Sequence, residues 1–142
     1  GLPVVPPTDE RVAAFLGQLQ RSRDEVLGGV PERRRLVSVE QVAANAVMAG
    51  CLPEYLPVVL AAVQAACTDT FNIHGLLATT MSVGPMIVVN GPIRKRIGMN
   101  SGINAMGQGN RANASIGRAL QLVVRNVGGG RPGGVRGVAE PG

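Results

Sequence analysis

Apolar residues follow two different patterns along this chain. Up to Cys67 they recur at helical spacing; beyond it they come in short runs broken by glycine, asparagine and proline. Val12, Phe15, Leu16 and Leu19 follow Thr8, Asp9 and Glu10 at intervals of three and four. That spacing predicts a helix, with Thr8 as its cap and the two acids at its positive end. Gly28-Gly29 reads as the end of that unit, and Glu32 to Arg35 as a charged connector. Ser38-Val39-Glu40-Gln41 has the form of a capping box, and Val39, Val42, Ala43, Ala46 and Val47 share one face up to the stop at Gly50. Pro53 and Pro57 suit the first turn of another helix, with Leu56, Val59, Leu60, Val63 and Cys67 as its buried stripe.

The second pattern predicts strands. Ile73–Thr80 reads as a short one, and Pro85–Val89 as a better one, because it is continuous, β-branched and of the type covered on both faces. Asn90 to Asn113 is rich in Gly and Asn and too long for an idle connection. A last helix is expected over Ala114–Val127, with Ile116, Leu120, Val123, Val124 and Val127 inward and a Gly128-Gly129-Gly130 stop. Residues 128–142 read as a flexible tail behind a single domain spanning 1–127. The fold class is α/β or α+β, with about four helices and a small sheet. Covered strands with few helices to cover them imply a sheet completed by a partner subunit or a further domain.

Charge divides the chain at nearly the same point. The first 69 residues carry six Arg against eight acids, whereas Thr70 to Ala139 holds no Asp or Glu and eight cations: Arg94, Lys95, Arg96, Arg111, Arg118, Arg125, Arg131 and Arg136. That half must leave its cations in water or meet anions from elsewhere. Any carboxylate base must also come from outside it. Of the fourteen cations thirteen are Arg, which fits either bidentate anion contacts or a GC-rich genome. Only Phe15, Tyr55 and Phe71 are aromatic, so the core must be built from small aliphatic side chains. Two Cys outside any C-x-x-C pattern suggest a reducing, cytoplasmic setting, and one His with two scattered Cys makes no zinc signature. No apolar run approaches the ~20 residues of a membrane span.

The most concentrated chemistry is Gly107-Gln108-Gly109-Asn110-Arg111-Ala112-Asn113-Ala114-Ser115, directly before the last helix. Gly107 and Gly109 would turn backbone N–H groups towards a ligand, the helix start adds free donors, and Arg111 adds a forked cation. An anionic small molecule is the ligand class this suits, with Asn110, Asn113 and Ser115 as further contacts. A dinucleotide is disfavoured, since no strand runs into the loop and no acid lies about 20 residues on. The alternative is an ordinary Gly-rich turn with Asn or Ser as helix cap. Arg111, Arg118 and Arg125, seven apart, form one helix stripe that faces either water or an acidic partner. His74, the only His, lies near Asp69, Thr79 and Thr80 and is a candidate acid–base group, set against a structural role. Cys51, in a turn before a helix, is a candidate nucleophile or a small buried hydrophobe. Asn90 stands at the end of the better strand, where open α/β sheets place ligands, with Arg94-Lys95-Arg96 close behind.

Several blocks together carry a family likeness: Leu2 to Thr8, Ala44 to Val59 (ANAVMAGCLPEYLPVV), Asn72-Ile73-His74-Gly75 with Ala78-Thr79-Thr80, Val89-Asn90-Gly91-Pro92-Ile93, Asn100-Ser101-Gly102, and Gly109 to Ala119. Through them the chain resembles, up to about Pro132, a bacterial family associated with UGSC-type (seleno)proteins, named for a Sec/Cys-Gly-Ser-Cys motif. The resemblance implies a cytoplasmic enzyme component linked to thiol or selenol chemistry. This chain has no such motif, and it has Met81 where the likeness would put a second His. The redox motif would then belong to another chain or domain.

The resulting expectation is one subunit of a hetero-oligomeric small-molecule enzyme that holds an anionic substrate at the Gly107–Ser115 loop. Its rivals are a non-catalytic partner or regulatory subunit, a homo-oligomer, and a nucleic-acid binder. The last is suggested by the pI of about 10.6 but lacks aromatics for base stacking in the basic half.

Overall fold

The computed structural model describes residues 3–30 and 35–129; the predicted tail from Gly130 on, with Arg131 and Arg136, lies outside them. Among the described residues the fold is α+β, with six helices and one two-stranded antiparallel sheet. Helix α1 is Asp9–Leu16, strand β1 Val26–Val30, strand β2 Arg35–Ser38, α2 Val39–Ala49, α3 Leu56–Ala66, α4 Ile73–Ala78, α5 Pro92–Arg96 and α6 Arg111–Asn126.

The central helix is α2, which packs against α1, α3 and, most extensively, α6. Its ends are set locally. Ser38 Oγ accepts from Gln41 N while the Gln41 side chain accepts from Ser38 N, and Gly50 closes the helix in the left-handed region at φ 84°. The short turn Pro53–Tyr55 then leads into α3 with proline in the first helical turn. Val39, Val42, Leu56, Val59, Leu60, Val63 and Ile116 are essentially wholly buried between these helices. Each such side chain contributes about 1.5–3 kcal/mol of burial. A polar link crosses the same interface: Asn126 Nδ2 donates to Asn45 Oδ1 at 2.7 Å, and Asn45 Nδ2 donates to Gln41 O at 2.8 Å.

Several sequence expectations are corrected. The sheet is not in the second half. It pairs Gly28 with Val37, Gly29 with Leu36 and Val30 with Arg35, with an irregularity between Val26 and Gly28. The segment read as terminator and connector is therefore a hairpin. Ile73–Ala78 is helical rather than extended: Asn72 adopts a left-handed conformation (φ 50°) and its side chain accepts from Gly75 N, starting α4. Pro85–Val89 belongs to no sheet. The first helix is shorter than its apolar pattern, ending at Leu16, and Thr8 caps it through its backbone without a side-chain bond. The last helix begins at Arg111, three residues before the predicted start.

Candidate functional site

The loop before α6 is tied to itself and to its neighbours. Asn110 is the helix cap, its side chain accepting from Asn113 N and donating to Gly98 O. Asn113 Oδ1 accepts from Asn100 N at 3.1 Å, and its Nδ2 donates to Asn100 O and Ala105 O, both at 2.9 Å. The glycines serve the turn itself: Gly109 has φ 109°, and a Cβ on Gly107 would fall 1.9 Å from the Asn104 side chain. The capped Gly-rich turn, one of the two readings of this segment, is thus present in full. Arg111 Nε donates to Gly50 O at 3.0 Å, so the guanidinium closes the C-terminal end of α2. Arg118 reaches the carbonyl of Pro3 and Arg94 the hydroxyl of Ser101, while Arg125 is exposed.

Cys51 and Ser115 lie together beneath Arg111. Cys51 is 5% exposed as a residue, and burial pushes its thiol pKa up, against smaller opposing effects of the Ser115 hydroxyl and the Arg111 charge. Ser115 Oγ is buried beside that sulfur without a hydrogen bond of good geometry. A thiolate nucleophile needs a shift in the other direction. Cys67, half-buried, is also shifted up by burial.

The other candidates are dispersed. His74 is exposed on α4 and makes no hydrogen bond or ion pair among the described residues. Thr79 Oγ1 accepts from Met81 N just beyond that helix, and Thr80 is exposed. Asn90 is exposed before α5. The structure thus gathers Cys51, Arg111 and Ser115 into one cluster and Asn110 with Asn113 into another. Among the described residues it gathers no set of acid, base and nucleophile. No group of three or more His, Cys, Asp or Glu among the described residues could hold a metal ion.

A different region was not singled out from the sequence. Among the described residues, seven of the eleven exposed large apolar side chains fall between Phe71 and Met106, including Met86 (70% exposed), Val88 (72%), Met106 (85%) and Ile103 (97%). Within this stretch, exposure alternates with period two from Gly84 to Asn90: Ile87 and Val89 pack against the core while Met86 and Val88 face out. An open groove of about 490 Å³ runs between this segment and α3, lined by Val58, Ala61, Ala62 and Ala65 on the helix side. The cations nearby are unpaired by acids: among the described residues the ion pairs are Arg21–Glu25 and Arg23–Glu40, both in the first half. The signal for this surface is the apolar run Pro85–Val89, whose expected cover on both faces is present on one face only: Ile87 and Val89 pack inward while Met86 and Val88 are exposed.

No protein-family model matches this chain, and neither does any curated protein or solved structure. No helix among the described residues is long and apolar enough to cross a membrane.

Proposed function

We propose that this chain is a protein-binding subunit, one that contributes a docking surface to a hetero-oligomeric enzyme rather than the reacting groups. The observation that carries this reading is the concentration of exposed apolar side chains over residues 71–106, beside an apolar groove and within an acid-free half. Patches of this kind, rimmed by charge, mark protein interfaces. The dispersal of His74, Cys51 and Thr80 supports the same choice, as does the burial of the Cys51 thiol. The likeness to UGSC-type proteins fits as well, because the thiol motif it implies would sit on another chain or domain.

The test is co-expression with the proteins encoded beside it, followed by gel filtration. A stable complex should form with the wild-type chain and with His74→Ala, and should be lost in a Met86→Glu/Val88→Glu double variant. Complex formation indifferent to that double variant, or turnover by the isolated chain, would overturn the reading.

A second reading keeps an anionic small molecule at the start of α6. It is supported by Arg111, an exposed cation at the N-terminus of a 16-residue helix with no acid in its first turn. Inorganic phosphate should then raise the melting temperature of the wild type but not of Arg111→Ala; equal behaviour of the two removes it.

A further inference from the structure

Residues 84–90 have the side-chain alternation of a β-strand but none of its hydrogen bonds. Among the described residues no backbone N–H or C=O of this segment has a hydrogen-bond partner, and the segment lies in no helix, turn or ladder. Buried or half-buried backbone is normally paired, and an unpaired strand edge is a template for another strand. The segment is held in place from beneath, since Ile87 and Val89 are anchored in the core. Its exposed side chains, Met86 and Val88, line the groove along α3 together with Ile87 and Val89. Immediately after it come Gly91 and then α5, which ends in Arg94, Lys95 and Arg96.

Resting on the docking role above, we propose that residues 84–90 form a strand-addition edge. It takes an extended segment of a different polypeptide, apolar at alternate positions and acidic at the end that lies against Arg94–Arg96. Main-chain bonds to the free edge supply affinity in this mode of recognition, and pockets for alternate side chains supply selectivity. The groove admits the partner's inward apolar side chains against the small residues Ala61, Ala62 and Ala65. Charge decides the choice of occupant. The same edge of a second copy lies in the acid-free half, so pairing edge to edge would bring Arg94–Arg96 no carboxylate, whereas complementary charge favours a different chain. An acidic flank on a different chain neutralises cations that have no carboxylate partner among the described residues.

The experiment uses short blocked peptides of alternating valine and threonine, ended at either terminus by a pair of glutamates or a pair of lysines. Binding to the whole chain is followed by fluorescence anisotropy and by amide hydrogen exchange resolved by NMR. The glutamate-ended peptide should bind roughly tenfold more tightly than the lysine-ended one at low salt, with the difference shrinking as salt is added. Exchange should slow at every second amide of residues 86–90, because only one edge gains a partner. N-methylation of alternate peptide residues on the pairing edge should abolish binding.

Uniform protection without alternation, or an N-methylated peptide that binds as well as the parent, would overturn strand addition. So would sedimentation showing a dimer in which these amides are already protected, since the occupant would then be a second copy. If strand addition fails while Met86→Glu/Val88→Glu still breaks the complex described above, the docking role stands and only its geometry falls. If the double variant leaves that complex intact, the docking role itself falls.

Discussion

All of the polar atoms of the Asn113 side chain are engaged in joining residues 100–105 to the first turn of α6. Removing them leaves half-buried backbone groups unpaired, at about 1–1.5 kcal/mol or more for each. Asn113→Ala should therefore lower stability by about 2–4 kcal/mol in urea denaturation, and Asn113→Asp should be nearly as damaging because a carboxylate cannot donate. Cys51 gives a pH signature. Its folded-state pKa is raised by burial, so the unfolded thiol, at about 8.5, ionises first. Folding stability is then fully present below pH ~8.5 and declines as pH rises through the folded-state value. Denaturation midpoints measured from pH 7 to 10 should fall in the wild type and fall less in Cys51→Ala. Iodoacetamide should label native Cys51 far more slowly than Cys67, which is only half-buried.

At the level of elements, legibility followed local chemistry. The elements α2 and α3 could be read because their stop and start signals are written in side chains: the Ser38–Gln41 box, Gly50, and the prolines at 53 and 57. Replacing Ser38 by Ala should cost about 1 kcal/mol through the lost cap, a difference visible in the thermal midpoint. The hairpin β1–β2 was not legible, because Gly28 and Gly29 look like terminators. The reason for Gly28 is tertiary: a Cβ there would stand 2.6 Å from the Cys67 Cβ, so glycine lets β1 approach the end of α3. Gly28→Ala should destabilise the fold, and pairing it with Cys67→Ala should give no relief, since the clash is with the Cβ that alanine keeps. In α4, Asn72 carried a usable helix-start signal that the apolar run after it outweighed. Residues 84–90 express a strand only as a continuous, β-branched apolar run; which side chains face out, and whether a neighbour pairs with them, is decided by what lies beside them in space. The Gly107–Ser115 loop is legible in its Gly and Asn residues, but the inward direction of its asparagines, to Gly98, Asn100 and Ala105, is set by tertiary packing.

For the molecule as a whole, the decisive arrangement is the packing of α2 on α6, elements far apart in the chain. With α3 beside them they make a helical core, and the stretch from Cys67 to Asn110 runs over its surface, touching it through Ile87, Val89 and the buried Ile97. Met81, Ser82, Val83 and Gly84 are all exposed within it. Limited proteolysis should therefore cut there first, and the two fragments should stay together on gel filtration, with helical circular dichroism largely retained; fragments that separate on cleavage would contradict this. The closure of α2 on α6 also sets an order of events during synthesis. The last helix must leave the ribosome before the core can shut, so the apolar stretch Met81–Val89 is made, and waits exposed, while Ile116 and Leu120 are still missing. A chain built this way is most prone to aggregate as a nascent polypeptide, before its own last turns of α6 have arrived to cover it.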